Sequence, residues 1–167
     1  MTPRHVVGPG PGQFSGYCIF KNKEEVDLYI DYCDPTHDYA FVRFNPTAVK
    51  TMPLTALSLR PELAKVGLEV RTVGSILISI ISQLDRDAPD YGFGYCDFNI
   101  NYIQLTSTAS FGSAGSPVVY IEGHGIGFIT GGGNGASSHI IPLERAVRAL
   151  DCVQRGVPVT RGTMQCQ

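Results

Sequence analysis

The sequence predicts an all-β domain, an antiparallel barrel or sandwich, with one helix near its C-terminal end. Three observations carry this reading. Short runs rich in β-branched and aromatic residues recur along the chain, Gly, Pro, Asn and Asp punctuate them, and a single segment has helical spacing. The first half offers Gly16 to Phe20, Glu25 to Tyr32 and Ala40 to Phe44 as strands. The second half offers Glu69 to Val73, Ile76 to Leu84, Tyr102 to Leu105, Pro117 to Ile121, Gly125 to Thr130 and Ser138 to Pro142. Each is short and ends at turn-forming residues. Leu143 to Gln154 reads as the helix, with Leu143, Ala146, Val147 and Leu150 on one face and Gly156 and Pro158 as stop signals beyond it.

Composition narrows the class. With 167 residues, 43% of them hydrophobic and 17% charged, the chain has room for one domain with a real core. A net charge of −2 gives no reason to expect nucleic acid or an anionic membrane as partner. The longest apolar run, Ile76 to Ile81, is interrupted by Ser79 and is too short to span a membrane. No basic-then-apolar leader opens the sequence. Cys18, Cys33, Cys96, Cys152 and Cys166 are odd in number and scattered, which suits reduced thiols in cytosol or nucleus and offers no zinc-ligand spacing. No metal or cofactor is expected. Gly131 to Gly135 is too irregular for a phosphate loop, because no helix with Lys and Ser/Thr follows.

The most informative stretch is Phe111-Gly112-Ser113-Ala114-Gly115-Ser116-Pro117. It resembles the G-x-S-G-x-P nucleophile loop of trypsin-like serine proteases, with Gly112, Gly115 and Pro117 in register and Ala114 where the Ser belongs. Upstream stand Thr2-Pro3-Arg4-His5-Val6-Val7 and Pro35-Thr36-His37-Asp38-Tyr39-Ala40-Phe41-Val42, so that His, Asp and loop follow one another in chymotrypsin order. Tyr102-Ile103-Gln104 and Gly125-Ile126-Gly127-Phe128-Ile129 resemble the HtrA/DegP branch. Asp85-Arg86-Asp87-Ala88-Pro89-Asp90-Tyr91-Gly92, Asp97-Phe98-Asn99 and Pro158-Val159-Thr160-Arg161-Gly162-Thr163 are similar to the fungal nuclear HtrA-like serine proteases described as pro-apoptotic. The resemblance runs from Thr2 to Gln167.

That resemblance implies a double β-barrel: residues 1–66 a partial first barrel, 67–142 the second, and 143–167 the helix and tail. It implies a serine endopeptidase with His5 as general base, Asp38 orienting the imidazole and the N–H groups of Gly112 and Ala114 as oxyanion hole. Gly127, Phe128, Ile129 and Thr130 would form the edge that pairs with substrate backbone. Ile103 would border an apolar specificity pocket, or belong to barrel core. His37 is expected to be a surface neighbour, and His124 and His139 structural. Protein or peptide substrates, a homo-oligomer or further parts such as PDZ domains, and a nuclear or cytoplasmic location also follow from it, with no nucleic-acid or membrane partner.

Three departures weigh against activity. A methyl group at position 114 cannot be activated by a base. Nothing here corresponds to the strands that precede the His in the family, so the first barrel is expected to be incomplete and His5 poorly held; Ala114→Ser is accordingly expected to give little turnover. A Gly-rich loop between segments matching Val73-Gly74 and Ser75-Ile76 is missing. Two readings result: an endopeptidase domain with its Ser replaced, or a natural pseudoprotease that binds peptides or subunits without cutting them.

Overall fold

The computed structural model describes residues 1–8, 16–74, 77–87, 100–110, 112–133 and 137–162. Among the described residues nine strands and two α-helices follow in the order α1 (Arg4–Val7), β1 (Gly16–Ile19), β2 (Glu25–Cys33), β3 (Ala40–Arg43), β4 (Glu69–Thr72), β5 (Leu77–Asp87), β6 (Asn101–Leu105), β7 (Pro117–Tyr120), β8 (Gly125–Gly133), β9 (Ser137–Pro142) and α2 (Glu144–Gln154). The first three strands make an open antiparallel sheet in the order β1-β2-β3. The other six close into a barrel in the order β4-β5-β6-β9-β8-β7.

Two cores organise these parts. Val70, Ile81, Ile103, Leu105, Val118, Ile126, Ile129 and Ile140 fill the barrel. Tyr39 and Phe41 from the open sheet meet Ile100, Tyr102, Phe128 and Ile141 from the barrel, with Leu143, Ala146 and Ala149 of the α2 region closing the cluster. This second core is shared, so it sets where the β2–β3 connection stands relative to the barrel. Backbone approach within the barrel is close at Gly127, where a Cβ would lie 2.7 Å from Ile140 Cδ1 and 3.1 Å from the Ile141 carbonyl oxygen.

Three differences from the sequence reading have physical causes. His5 lies in a helical turn, α1, where the sequence offered no helix before Leu143. Val6 and Val7 are poor helix formers, but tertiary contacts supply what propensity lacks. Asp38 Oδ1 accepts the His5 amide at 2.8 Å, so a side chain 33 residues away satisfies a first-turn N–H, and Gly8 at φ +87° ends the turn. Second, β8 runs on to Gly133 through glycines that read as a turn; Gly131, Gly132 and Gly133 stand opposite His139, Ser138 and Ser137. Third, β5 extends to Asp87, with register shifts against β6. The hairpin from β4 to β5 closes with Thr72 opposite Leu77, so the proposed loop deletion falls on Ser75 and Ile76, which lie outside the described residues.

Among the described residues the first three strands form an open sheet, and His5 is not poorly held. Thr2 and Ala40 exchange backbone hydrogen bonds at 3.0 and 2.8 Å, tying the segment before α1 to β3. The physical premise for a displaced His5 is therefore overturned.

Candidate active site

The site starts from the connection between β2 and β3. Asp34 folds this connection around its own carboxylate: Oδ1 accepts the Thr36 and His37 amides at 2.9 and 2.8 Å, and the Asp34 amide donates to the Tyr39 carbonyl at 3.0 Å. This is the local turn that Asp favours, with Pro35 next in sequence. The turn delivers Asp38, wholly buried, to α1. There Oδ2 stands 2.6 Å from His5 Nδ1, while Oδ1 holds the His5 amide. An ionised carboxylate only accepts, so Nδ1 carries a ring proton. Asp38 thus fixes both the backbone and the tautomer of one residue, whose side chain stays 30% exposed.

The nucleophile-like loop is built from the opposite side. Gly112 and Gly115 have φ of +87° and +89°, the left-handed region that glycine enters without a Cβ clash. The Gly115 amide donates to the Ile129 carbonyl at 2.7 Å and the Ile129 amide to the Ser116 carbonyl at 2.9 Å, so β8 anchors the loop. A Cβ at Gly115 would lie 3.5 Å from both Pro3 Cδ and Thr2 Oγ1. The residues just before α1 therefore abut the loop. Ser113 is buried and its hydroxyl donates to the Ser110 carbonyl at 2.6 Å, turned into the loop. The amides of Ser113, Gly115 and Ser116 are engaged with backbone carbonyls; among the described residues no backbone carbonyl accepts from Gly112 or Ala114. Phe111 lies outside the described residues.

A second His–Asp pair stands nearby and is not equivalent. His37 Nδ1 is 3.0 Å from Asp34 Oδ1, its ring stacks on Tyr39 at a centroid distance of 6.0 Å, and Nε2 meets Arg145. His37 is thus half-buried and paired, not the surface neighbour expected. It lines a cavity of about 390 Å³ together with Tyr39, Leu84, Ile100, Ile141 and Arg145. No residue of the 112–116 loop lines that cavity. Of the two pairs, His5–Asp38 is carried by the segment that touches Gly115.

Electrostatics separate the carboxylates further. Burial pushes the pKa of Asp34 up, but hydrogen bonds from the His37 and Tyr39 side chains and from the His37 and Thr36 amides outweigh it and hold the carboxyl well below its usual range. Burial, then the bond to Asp34, raises the Tyr39 hydroxyl. This buried Asp34 was missed in the sequence. The Asp-Pro pair at 34–35 was the available signal.

The proposed substrate strand needs correction. Gly127 and Phe128 pair with β7 on one side and β9 on the other, and Ile129 is engaged by both the loop and Ile140. None of the three offers a free edge. From Gly131 to Gly133 the strand is paired with β9 alone among the described residues. Among the described residues the open edge therefore lies beyond Ile129, and of the four residues expected to pair with substrate backbone only Thr130 borders it, with its hydroxyl donated to the His139 carbonyl at 3.2 Å. Ile103 is 2% exposed and belongs to the barrel core, and it also lines the cavity beside His37, so it takes part in both of its expected settings. His124 lies in the β7–β8 turn, and His139 is buried in β9, where burial lowers its pKa. Among the described residues no group of three metal-ligating side chains could hold an ion.

Comparison with known proteins places these features in context. The profile of the Trypsin-like peptidase domain family matches residues 1–128. The chain is 54% identical, over 176 aligned positions covering all of it, to a pro-apoptotic serine protease of Aspergillus fumigatus and, to the same degree, to one of Pyricularia oryzae. It spans 17% of the length of each. Among solved structures, the HtrA-type protease AlgW with a decapeptide superposes with a TM-score of 0.68 at 21% identity, over 92% of this chain and 47% of that one. AlgW with a tripeptide gives 0.68 at 22% identity, over 93% and 52%.

Proposed function

The chain belongs to the trypsin-like peptidase domain family, and from that premise we propose that it is an HtrA-like serine endopeptidase domain, inactive as it stands because Ala114 occupies the nucleophile position. His5 is the general base and Asp38 its orienting acid; the Gly112 and Ala114 amides form the oxyanion hole, and the edge from Thr130 to Gly133 receives an extended peptide. The domain comprises a partial first barrel over residues 1–66, the second barrel over 67–142, and helix and tail over 143–167. Protein or peptide substrates and a nuclear or cytoplasmic location are proposed with it, on the resemblance to the fungal enzymes.

One observation carries this reading: the buried Asp38 grips His5 at two points, 2.6 Å from the ring and 2.8 Å from the amide. That arrangement fixes the orientation of the imidazole and keeps its ring proton on Nδ1, as the orienting acid of a general base does. An activity-based fluorophosphonate probe tests it. Ala114→Ser should acquire labelling that the parent lacks, and adding His5→Ala should abolish it. A folded Ala114→Ser protein that stays unlabelled would remove the catalytic assignment.

The pseudoprotease reading is favoured by a specific observation. The amides of Gly112 and Ala114, from which no backbone carbonyl among the described residues accepts, and the strand edge from Gly131 to Gly133, paired there with β9 alone, need no hydroxyl to hold a peptide carbonyl and backbone. It predicts that the parent chain binds extended peptides, read by fluorescence anisotropy, and that a proline introduced at Gly132 weakens binding without unfolding the barrel.

A further inference from the structure

Beyond α2 the chain turns back toward the open sheet. Val159 packs against the shared core, Arg148 donates to the Thr160 carbonyl at 3.5 Å, and Arg161 reaches the β2–β3 connection 127 residues earlier. Its guanidinium meets Asp34 Oδ2 and donates to the Tyr32 hydroxyl at 2.7 Å. Asp34 is 1% exposed. Its Oδ1 is filled by the Thr36 and His37 amides and His37 Nδ1, and Tyr32 donates to Oδ2 at 3.1 Å. Arg161 therefore brings a fixed full charge to a carboxylate that no water reaches.

Asp34 stands behind both members of the His5–Asp38 pair. Asp38 ends the turn that the Asp34 carboxylate folds. On the other side Arg4, adjacent to His5 in α1, donates from Nη1 to the Asp34 carbonyl at 2.9 Å. A shift of Asp34 thus moves the acid and the base in one step. We propose that Arg161 is a positioning residue for the His5–Asp38 pair, acting through Asp34, and that the segment after α2 is coupled in this way to the catalytic geometry. The inference rests on reading that pair as base and orienting acid.

Proton NMR of the chain as it exists tests the inference without any turnover. A His5 Nδ1–H held against a buried carboxylate should give a far-downfield, slowly exchanging resonance, identified by its loss in Asp38→Asn. Arg161→Met should speed its exchange at least tenfold or broaden it away, while the dispersed amide signals of the barrel persist. Arg161→Lys, which keeps the charge on a shorter side chain that does not reproduce the placement of Nη2 between Asp34 and Tyr32, should give an intermediate rate. Val159→Ala, which loosens the same tail without touching Asp34, should leave the resonance in place. An unchanged resonance in Arg161→Met, or in Arg161→Lys should the Met variant not fold, overturns the proposal. So does equal loss in Val159→Ala, which would make the effect one of tail packing. A parent chain lacking the resonance altogether fails the base–acid reading itself, an outcome distinct from failure of Arg161.

Discussion

Asp38 does two jobs with one carboxylate, closing the first turn of α1 and setting the His5 tautomer. Asn at position 38 can still accept the amide, but its NH2 competes with the ring proton and favours the wrong tautomer. In an Ala114→Ser background, Asp38→Asn should lower the rate of fluorophosphonate labelling by on the order of 10³–10⁴, with the fold intact by circular dichroism. Asp34 and His139 make stability pH-dependent in the same direction. The Asp34 carboxyl is depressed in the fold, so its contribution is complete above the unfolded value of about 4 and is lost as pH falls below it. His139 is held neutral by burial, so its contribution is complete above about pH 6.5 and erodes below that value. Melting temperatures should fall on acidification in two stages; His139→Leu should flatten the upper stage, and an unaltered upper stage would contradict the burial assignment. Asp34→Ala strands Arg161 and unravels the turn, at a cost of about 3 kcal/mol at pH 7 in urea unfolding.

At the scale of elements, legibility followed local chemistry. β2 was readable because its acidic and apolar residues alternate, and every strand proposed in the sequence exists with its ends within a few residues. α1 was not readable, since Arg-His-Val-Val has no helical preference and the group that stabilises its first turn is remote. The glycine end of β8 was hidden for the converse reason: Gly131 to Gly133 carry turn chemistry, yet the β9 ladder holds them extended. The substrate edge that the resemblance implied, Gly127 to Thr130, falls mostly on residues enclosed by neighbours on both sides. Gly127 itself is a test of how tightly they are enclosed. Gly127→Ala would press a methyl group on the Ile141 carbonyl, which cannot move without breaking the ladder. We expect a loss of about 1–3 kcal/mol, seen as a lower urea midpoint at unchanged slope. No loss would mean that β8 and β9 yield more readily than their spacing indicates.

In the whole molecule, a closed barrel and an open sheet are joined through one shared core and one strap. The His-Asp-loop order made the pairing of His5 with Asp38 legible in advance, whereas Asp34, Arg161 and the second pair at His37 required the fold to bring distant residues together. The open sheet leaves Tyr17, Ile19 and Tyr29 exposed, with β1 at its edge. Such an edge invites association, so Ile19→Lys should reduce concentration-dependent light scattering; equal scattering would place the sticky surface elsewhere. The central claim is that base, orienting acid and oxyanion amides are already assembled around a missing hydroxyl. Mass spectrometry after fluorophosphonate treatment tests this most directly. The account predicts no adduct on the parent chain and a single adduct at position 114 in Ala114→Ser, lost again when His5→Ala is added. An adduct on Ser113 or Ser116 of the parent, or none on a folded Ala114→Ser protein, would contradict it.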